Sequence, residues 1–216
     1  MDEMVKQFTL IDYLGILVPG CILTLACSAA WPDLMIPVTS SFGDNVIALF
    51  LYVLIIGYVL GNALEQLGAM AEDMLWGKKF WKRIILPETY FQGAEMRKAY
   101  TACFPDRTYP SNLEEESDAS GDIFRYVQKE KRTQRILIFS AFYTMSRTLV
   151  ITLLPVIILL PKIVEADRFV VAALSLGTLI VLFCFRWIRF ERKGLIEARM
   201  LLLSMAEKKS GGGTGI

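Results

Sequence analysis

The 216-residue chain is 54% hydrophobic and 21% charged, with a mean hydropathy of +0.45 and a formal net charge of +1. Its apolar residues come in long blocks instead of the short rhythm of a soluble core, which is the composition of a membrane protein. The near-neutral balance implies no nucleic-acid or acidic partner, and the lack of histidine removes the commonest metal ligand and the usual acid–base group near neutral pH.

About 20 apolar residues are needed to cross a hydrocarbon core roughly 30 Å thick. Four stretches qualify: 8–31, 46–68, 136–160 and 169–186. The leading MDEMVKQ sets Asp2 and Glu3 against Lys6. That is the wrong charge for a signal peptide, so the first stretch is expected to stay as a span. The segments after the first and third spans carry only Lys162 and the boundary residue Arg168, whereas the middle segment and the stretch after the fourth span are rich in Lys and Arg. The positive-inside bias therefore predicts cytoplasmic termini and a cytoplasmic middle segment.

Span 1 holds DYLGILVPGC, with Asp12 about one turn inside and Pro19 and Gly20 near mid-membrane. Proline frees a backbone carbonyl and permits a kink, either static or a hinge. The same alternatives apply to Pro155 in span 3. Span 2 contains GYVLG, in which Gly57 and Gly61 let a neighbouring helix approach closely, with Gly68 farther along. The partner is either span 1 or 3 of the same chain or another subunit, and Asn62 is placed to donate across either contact. Spans 1 and 2 form one transmembrane hairpin (1–68), and spans 3 and 4 a second (136–186).

Between them, residues 69–135 read as a helical cytoplasmic segment. It begins with a basic-aromatic amphipathic stretch made by Trp76, Lys78, Lys79, Trp81, Lys82 and Arg83, suited to the membrane surface. GAEMRKAYTACF reads as a short helix, and 105–121 as an acidic loop rich in small polar residues. DIFRYVQKEKRTQRILIF then reads as a helix running into span 3. Residues 187–209 form a C-terminal helix whose Leu195, Ile196, Met200, Leu203 and Met205 suit packing against the middle segment or another subunit. Residues 210–216 are a flexible tail.

Ionisable groups at membrane depth are expensive and draw most attention. Asp12, Glu65 and Arg147 all fall toward the cytoplasmic end of their spans, and side chains tilt toward a helix's N-terminus, so the three can meet in the inner leaflet. Arg147 is the deep one, two to three turns inside span 3 with Tyr143 one turn before it. It is expected to pair with Asp12 or Glu65, as a structural tie or as part of a gate. Asp12 and Glu65 are shallow enough to snorkel instead. Cys21, Cys27, Cys103 and Cys184 form no CxxC pair, so neither a zinc site nor a disulfide framework is expected. No cofactor is implied.

FTLIDYLGILVPG and SAFYTMSRTLV together resemble a group of small bacterial four-pass inner-membrane proteins found among anti-phage defence genes, similar in size and pass number to the Kiwa membrane subunit. The resemblance covers spans 1 to 3 and is carried by Asp12, Tyr13, Pro19, Gly20, Tyr143 and Arg147. It implies a membrane sensor or effector acting with a soluble cytoplasmic partner protein.

The expected fold is all-α, a polytopic membrane protein with four transmembrane helices and a small helical cytoplasmic cap. The chain lacks a Walker A box, a strand-borne GxGxxG, a GxSxG elbow and an HExxH. The expected function is therefore non-enzymatic, an oligomeric membrane sensor or membrane-perturbing effector in the lipid bilayer. The alternative is a small channel or transporter subunit that uses the Asp/Glu/Arg cluster as its pathway.

Overall fold

A computed structural model of the chain describes residues 12–42, 45–76, 79–86, 89–130 and 134–211. Among them the regular structure is helical throughout. A π-helical turn, Asp12–Leu17, leads into α1 (Val18–Ala30). A 3-10 turn, Pro32–Met35, follows, then α2 (Ile36–Phe42) and α3 (Val46–Trp76). After these come α4 (Lys79–Ile85), α5 (Ala94–Cys103), α6 (Leu113–Glu130), α7 (Gln134–Ile163) and α8 (Ala166–Gly211). Three stretches are long and apolar enough to cross a bilayer: Val46–Leu75, Ile138–Ile163 and Ala166–Lys208. They mark the chain as a multi-pass membrane protein. The apolar helix Gly15–Ala30 is shorter. The start of the expected first span, residues 8–11, lies outside the described residues, as do Lys78 and residues 212–216.

The chain divides into two units. The first is Met1–Glu72 with Ala141–Trp187, and the second is Asp73–Ser140 with Ile188–Ile216.

In the first unit α1 and α3 pack antiparallel through glycine. A Cβ on Gly20 would overlap the Gly57 carbonyl oxygen, one on Gly61 would overlap the Ile16 carbonyl oxygen, and one on Gly57 would fall 2.6 Å from Cys21 Sγ. Numbers rise along one helix as they fall along the other. Backbones this close need glycine, because lipid gives helices no hydrophobic reason to associate and only contact packing holds them. The GxxxG stripe thus serves an intramolecular contact with span 1. Asn62 does not reach across it: its Nδ2 donates to the Tyr58 carbonyl of its own helix at 2.8 Å. One turn from a polar carbonyl on the same helix, the short amide is satisfied locally.

Pro19 is fully buried at the start of α1. A proline ring presses on the carbonyl four residues back, here Gly15, and the turn that contains Gly15 is wound as the wider π-helix. Pro155 lies inside α7, which continues through it. Most of the α7 span is buried, whereas α8 has no buried residue from 166 to 186. Val170, Val171, Leu174 and Phe185 on α8 are exposed apolar side chains suited to lipid, as are Val46, Ile47 and Phe50 on α3.

The second unit has a core of the kind made in water. Ile85 at the end of α4 and Leu86 just after it, Met96 and Tyr100 on α5, Ile123 and Val127 on α6, and Leu195, Ala198 and Leu202 on α8 are all buried together. The basic-aromatic stretch forms α4 in part. Its Lys82 and Arg83 stay partly or fully exposed while Ile85 is buried, and the side chains of Trp76, Lys79 and Trp81 lie outside the described residues. On α8, Leu195 packs inward, but Ile196 and Met200 are exposed.

The expected acidic loop 105–121 ends at Asn112, and its second half is the start of α6. Asn112 Oδ1 accepts from the backbone N–H of Glu114 at 3.1 Å and of Glu115 at 3.0 Å. The Glu115 carboxylate reaches back to accept from the Ser111 N–H and hydroxyl at 2.8 and 2.9 Å, bonds that hold its pKa below the usual value. The acidic run that looked like loop composition is the negatively charged first turn that a helix N-terminus favours. The C-terminal helix likewise runs on to Gly211, past residue 209 where the tail was expected to follow.

The glycine seam gives a direct test. Gly61→Val places a side chain against backbone and is expected to cost at least the roughly 1–3 kcal/mol of an overpacked core. Gly177→Ala, where an added Cβ meets nothing within 4 Å, is expected to change stability by less than about 0.5 kcal/mol. Thermal unfolding in detergent reads both, and equal effects would contradict the packing.

Candidate functional site

One arginine organises the polar interior of the first unit. On α3, Glu65, Gly68 and Glu72 stand at positions i, i+3 and i+7, which places them on one face. On α7, Tyr143 and Arg147 are one turn apart and likewise share a face. The helices meet antiparallel, with Arg147 beside Gly68 and Tyr143 beside Glu72.

The Arg147 guanidinium bridges both carboxylates. Its Nη2 donates to Glu65 Oε1 at 2.6 Å, and its Nη1 donates to Glu72 Oε2. The Tyr143 hydroxyl donates to the other oxygen of Glu72 and accepts from Arg147 Nη1 at 3.4 Å. The guanidinium carbon also lies 5.3 Å from the centre of the Tyr143 ring, within cation–π range. The Arg147 side chain is 8% exposed, Glu72 12% and Glu65 31%. Glu65 is therefore the solvent- or lipid-facing member and Glu72 the enclosed one.

Gly68 makes this possible. A Cβ there would stand 3.3 Å from Arg147 Nε and 3.4 Å from its Cγ, so the glycine leaves a channel in which the arginine stem lies across the α3 backbone. Nε itself has no hydrogen-bond partner among the described residues. The gap between two carboxylates two turns apart is filled by the one cation that can hold both, because a guanidinium presents a planar fork of donors.

The expected cluster of Asp12, Glu65 and Arg147 is met in part. Arg147 and Glu65 are paired. The Asp12 side chain lies outside the described residues, although its backbone opens the π-helical turn. Glu72 was missed because span 2 was ended at Gly68, which counted Glu72 as cytoplasmic. The signal was present: a carboxylate seven residues after Glu65, with a glycine between, faces the same way.

A ladder of hydroxyls lies on α7 beside the triad. Thr148 and Thr152 are fully buried, and each donates to the carbonyl four residues back, at 2.9 and 2.8 Å. Thr144, on the same stripe, faces Gly15 of the π-turn. On α1, buried Thr24 donates to the Gly20 carbonyl at 2.8 Å. Among the described residues no group of three or more His, Cys, Asp or Glu is arranged to hold a metal ion.

Removing one partner of a buried ion network leaves the rest unpaired and costs about 3–5 kcal/mol. Arg147→Met is expected to lose that much. Adding Glu65→Gln and Glu72→Gln to it should recover most of the loss, because the abandoned charges are removed with it. Glu72→Gln alone should cost more than Glu65→Gln, whose carboxylate is partly exposed and screened. A triple variant no more stable than Arg147→Met would show that the carboxylates were not what Arg147 neutralised.

No protein-family model, no curated protein and no solved structure matches this chain.

Proposed function

We propose that this protein is a non-enzymatic, oligomeric sensor or membrane-perturbing effector of the bacterial inner membrane, with four passes and cytoplasmic termini. The observation that carries the reading is the Glu65–Arg147–Glu72 triad with Tyr143. A buried ion triad is a poor way to gain stability, since apolar residues of similar volume often do as well or better. Its value lies in having discrete paired and unpaired arrangements, which suits an element that switches between states. Both carboxylates and the phenol are already engaged with the guanidinium, which suits a latch better than a general acid or base.

Four passes are supported by the first helical run. Its six π-helical and thirteen α-helical residues rise roughly 26–28 Å, close to a hydrocarbon thickness. The orientation rests on the Lys and Arg distribution. Residues of α3, α7 and α8 belong to both units, which gives a cytoplasmic signal covalent routes to the triad. Anti-phage defence, with a soluble partner protein, is the setting that the resemblance in spans 1 to 3 suggests.

The runner-up is a small channel or transporter subunit, favoured by one observation: the buried Thr148 and Thr152 hydroxyls follow Arg147 along α7 at one-turn spacing.

Cells carrying the wild-type chain and its neighbouring genes are expected to resist phage infection. Arg147→Lys, which keeps the charge but loses the two-carboxylate fork, should abolish that resistance at normal accumulation in the membrane. Full resistance in a well-accumulated Arg147→Lys variant would sink the latch. Purified chain in liposomes separates the runner-up, since a channel gives conductance without a trigger and a sensor gives a flat trace. A fluorescent or phosphatase reporter fused at the C-terminus is expected to report the cytoplasm, and a periplasmic signal would reverse the orientation.

A further inference from the structure

One face of α8 changes its chemistry along the helix. Val171, Leu174, Thr178, Leu182 and Phe185 recur at steps of three or four residues, so they share one stripe, and all are exposed. No charged residue interrupts α8 between Arg168 and Arg186. The stripe then continues in register as Arg189, Arg192 and Lys193, which stand four, seven and eight residues after Phe185 and are all exposed. The face that suits lipid therefore runs directly into a band of three cations.

The band has no counter-charge. None of Arg189, Arg192 and Lys193 has a carboxylate within 4.0 Å among the described residues. The two acids of this stretch are placed elsewhere. Glu191 is half-buried and lies two residues from Arg189, on the opposite side of the helix. Glu197 faces Arg135 at 3.9 Å. The cation before the band, Arg186, sets its guanidinium 5.8 Å from the centre of the Phe142 ring.

The depth of the band follows from helix geometry. Arg189 stands about 6 Å and Lys193 about 12 Å along the axis from Phe185, and the headgroup layer extends roughly 5–8 Å beyond the hydrocarbon core. Side chains lean toward a helix's N-terminus, which on α8 is the direction back to the membrane, and long basic stems reach farther that way. All three charges are thus delivered to the headgroup layer.

We propose that Arg189, Arg192 and Lys193 form a docking surface for the phosphates of acidic phospholipid headgroups. Lipid that lies along Leu182 and Phe185 presents its headgroup at this band, so the occupant arrives with the bilayer. A zwitterionic headgroup brings its own cation and leaves the three charges unbalanced. An acidic headgroup balances them, and its phosphate accepts from guanidinium forks through charge-assisted bonds. A run of cations just beyond a membrane span is the arrangement that draws acidic lipid. The inference needs α8 to span the bilayer and is independent of the latch at Arg147.

The full chain is reconstituted in phosphatidylcholine vesicles with a trace of spin-labelled phosphatidylglycerol or spin-labelled phosphatidylcholine. Electron spin resonance then measures how much of each label is slowed at the protein surface. Phosphatidylglycerol is expected to be favoured about threefold at low salt, and less as salt screens the band. Joint replacement by Arg189→Gln, Arg192→Gln and Lys193→Gln should bring the ratio close to one, and Arg192→Gln alone should lower it part of the way. A variant with Lys98→Gln, Arg125→Gln and Lys129→Gln removes the same charge from exposed positions on α5 and α6 and should leave the preference unchanged. If the first triple variant does not accumulate, Arg192→Gln against Lys98→Gln carries the test. A wild-type ratio near one, a preference that the α8 variants retain, or an equal loss in the α5 and α6 variants overturns the surface.

Discussion

A guanidinium cannot be left bare at membrane depth. Snorkelling relieves a charge near a helix end, but Arg147 is 8% exposed and must find its anions inside the protein. That need governs much of the first unit. It requires an acidic helix alongside α7, in antiparallel register, with carboxylates placed where two donor groups of one fork can reach. It favours a glycine at the crossing, because a Cβ at position 68 would stand 3.3 Å from Arg147 Nε and 3.4 Å from its Cγ. It also ties Tyr143 in, since the phenol closes the second oxygen of Glu72. The remaining contacts of α7 are arranged around a helix that is committed to the centre of the unit.

The two units solve the problem of cohesion by different physics. In the first, lipid is as apolar as leucine, so burial of apolar side chains supplies little drive for helix association. Gly20, Gly57 and Gly61 instead bring backbones into contact, and threonine hydroxyls are satisfied within their own helices. Large apolar side chains such as Phe50 and Phe185 point outward. In the second, the order is inverted: Tyr90, Met96, Ile123 and Leu202 are inside, as the hydrophobic effect in water demands. α8 changes regime along its own length, bare of buried residues to Arg186 and then striped by Leu195, Ala198 and Leu202.

What could be read from the chain follows from how local each signal is. Hydropathy marked the long spans because twenty apolar residues in a row need no partner to be recognised. The glycine stripe was readable as a packing surface, and its assignment to span 1 needed the tertiary contact. Arg147 declared itself by its cost. Glu72 did not, because it sits at the margin of the apolar run, where a carboxylate is equally at home in water. The acidic stretch after Pro110 was misread because its Ser, Asn and Asp residues favour loops and helix starts alike. Only the pairing of Asn112 with the N–H groups of Glu114 and Glu115 tells them apart.

The spacing of the α3 carboxylates makes the register between α3 and α7 discrete. Seven residues separate Glu65 and Glu72, about 10.5 Å along the axis, and Arg147 spans the interval from its middle. Displacement of α7 along α3 in either direction brings the guanidinium nearer one carboxylate and strands the other. Only one alignment satisfies both, and a neighbouring alignment leaves either the partly exposed Glu65 or the enclosed Glu72 unpaired. The triad therefore behaves as an index mark between two helices, which holds one position against thermal sliding and makes any departure from it a whole step.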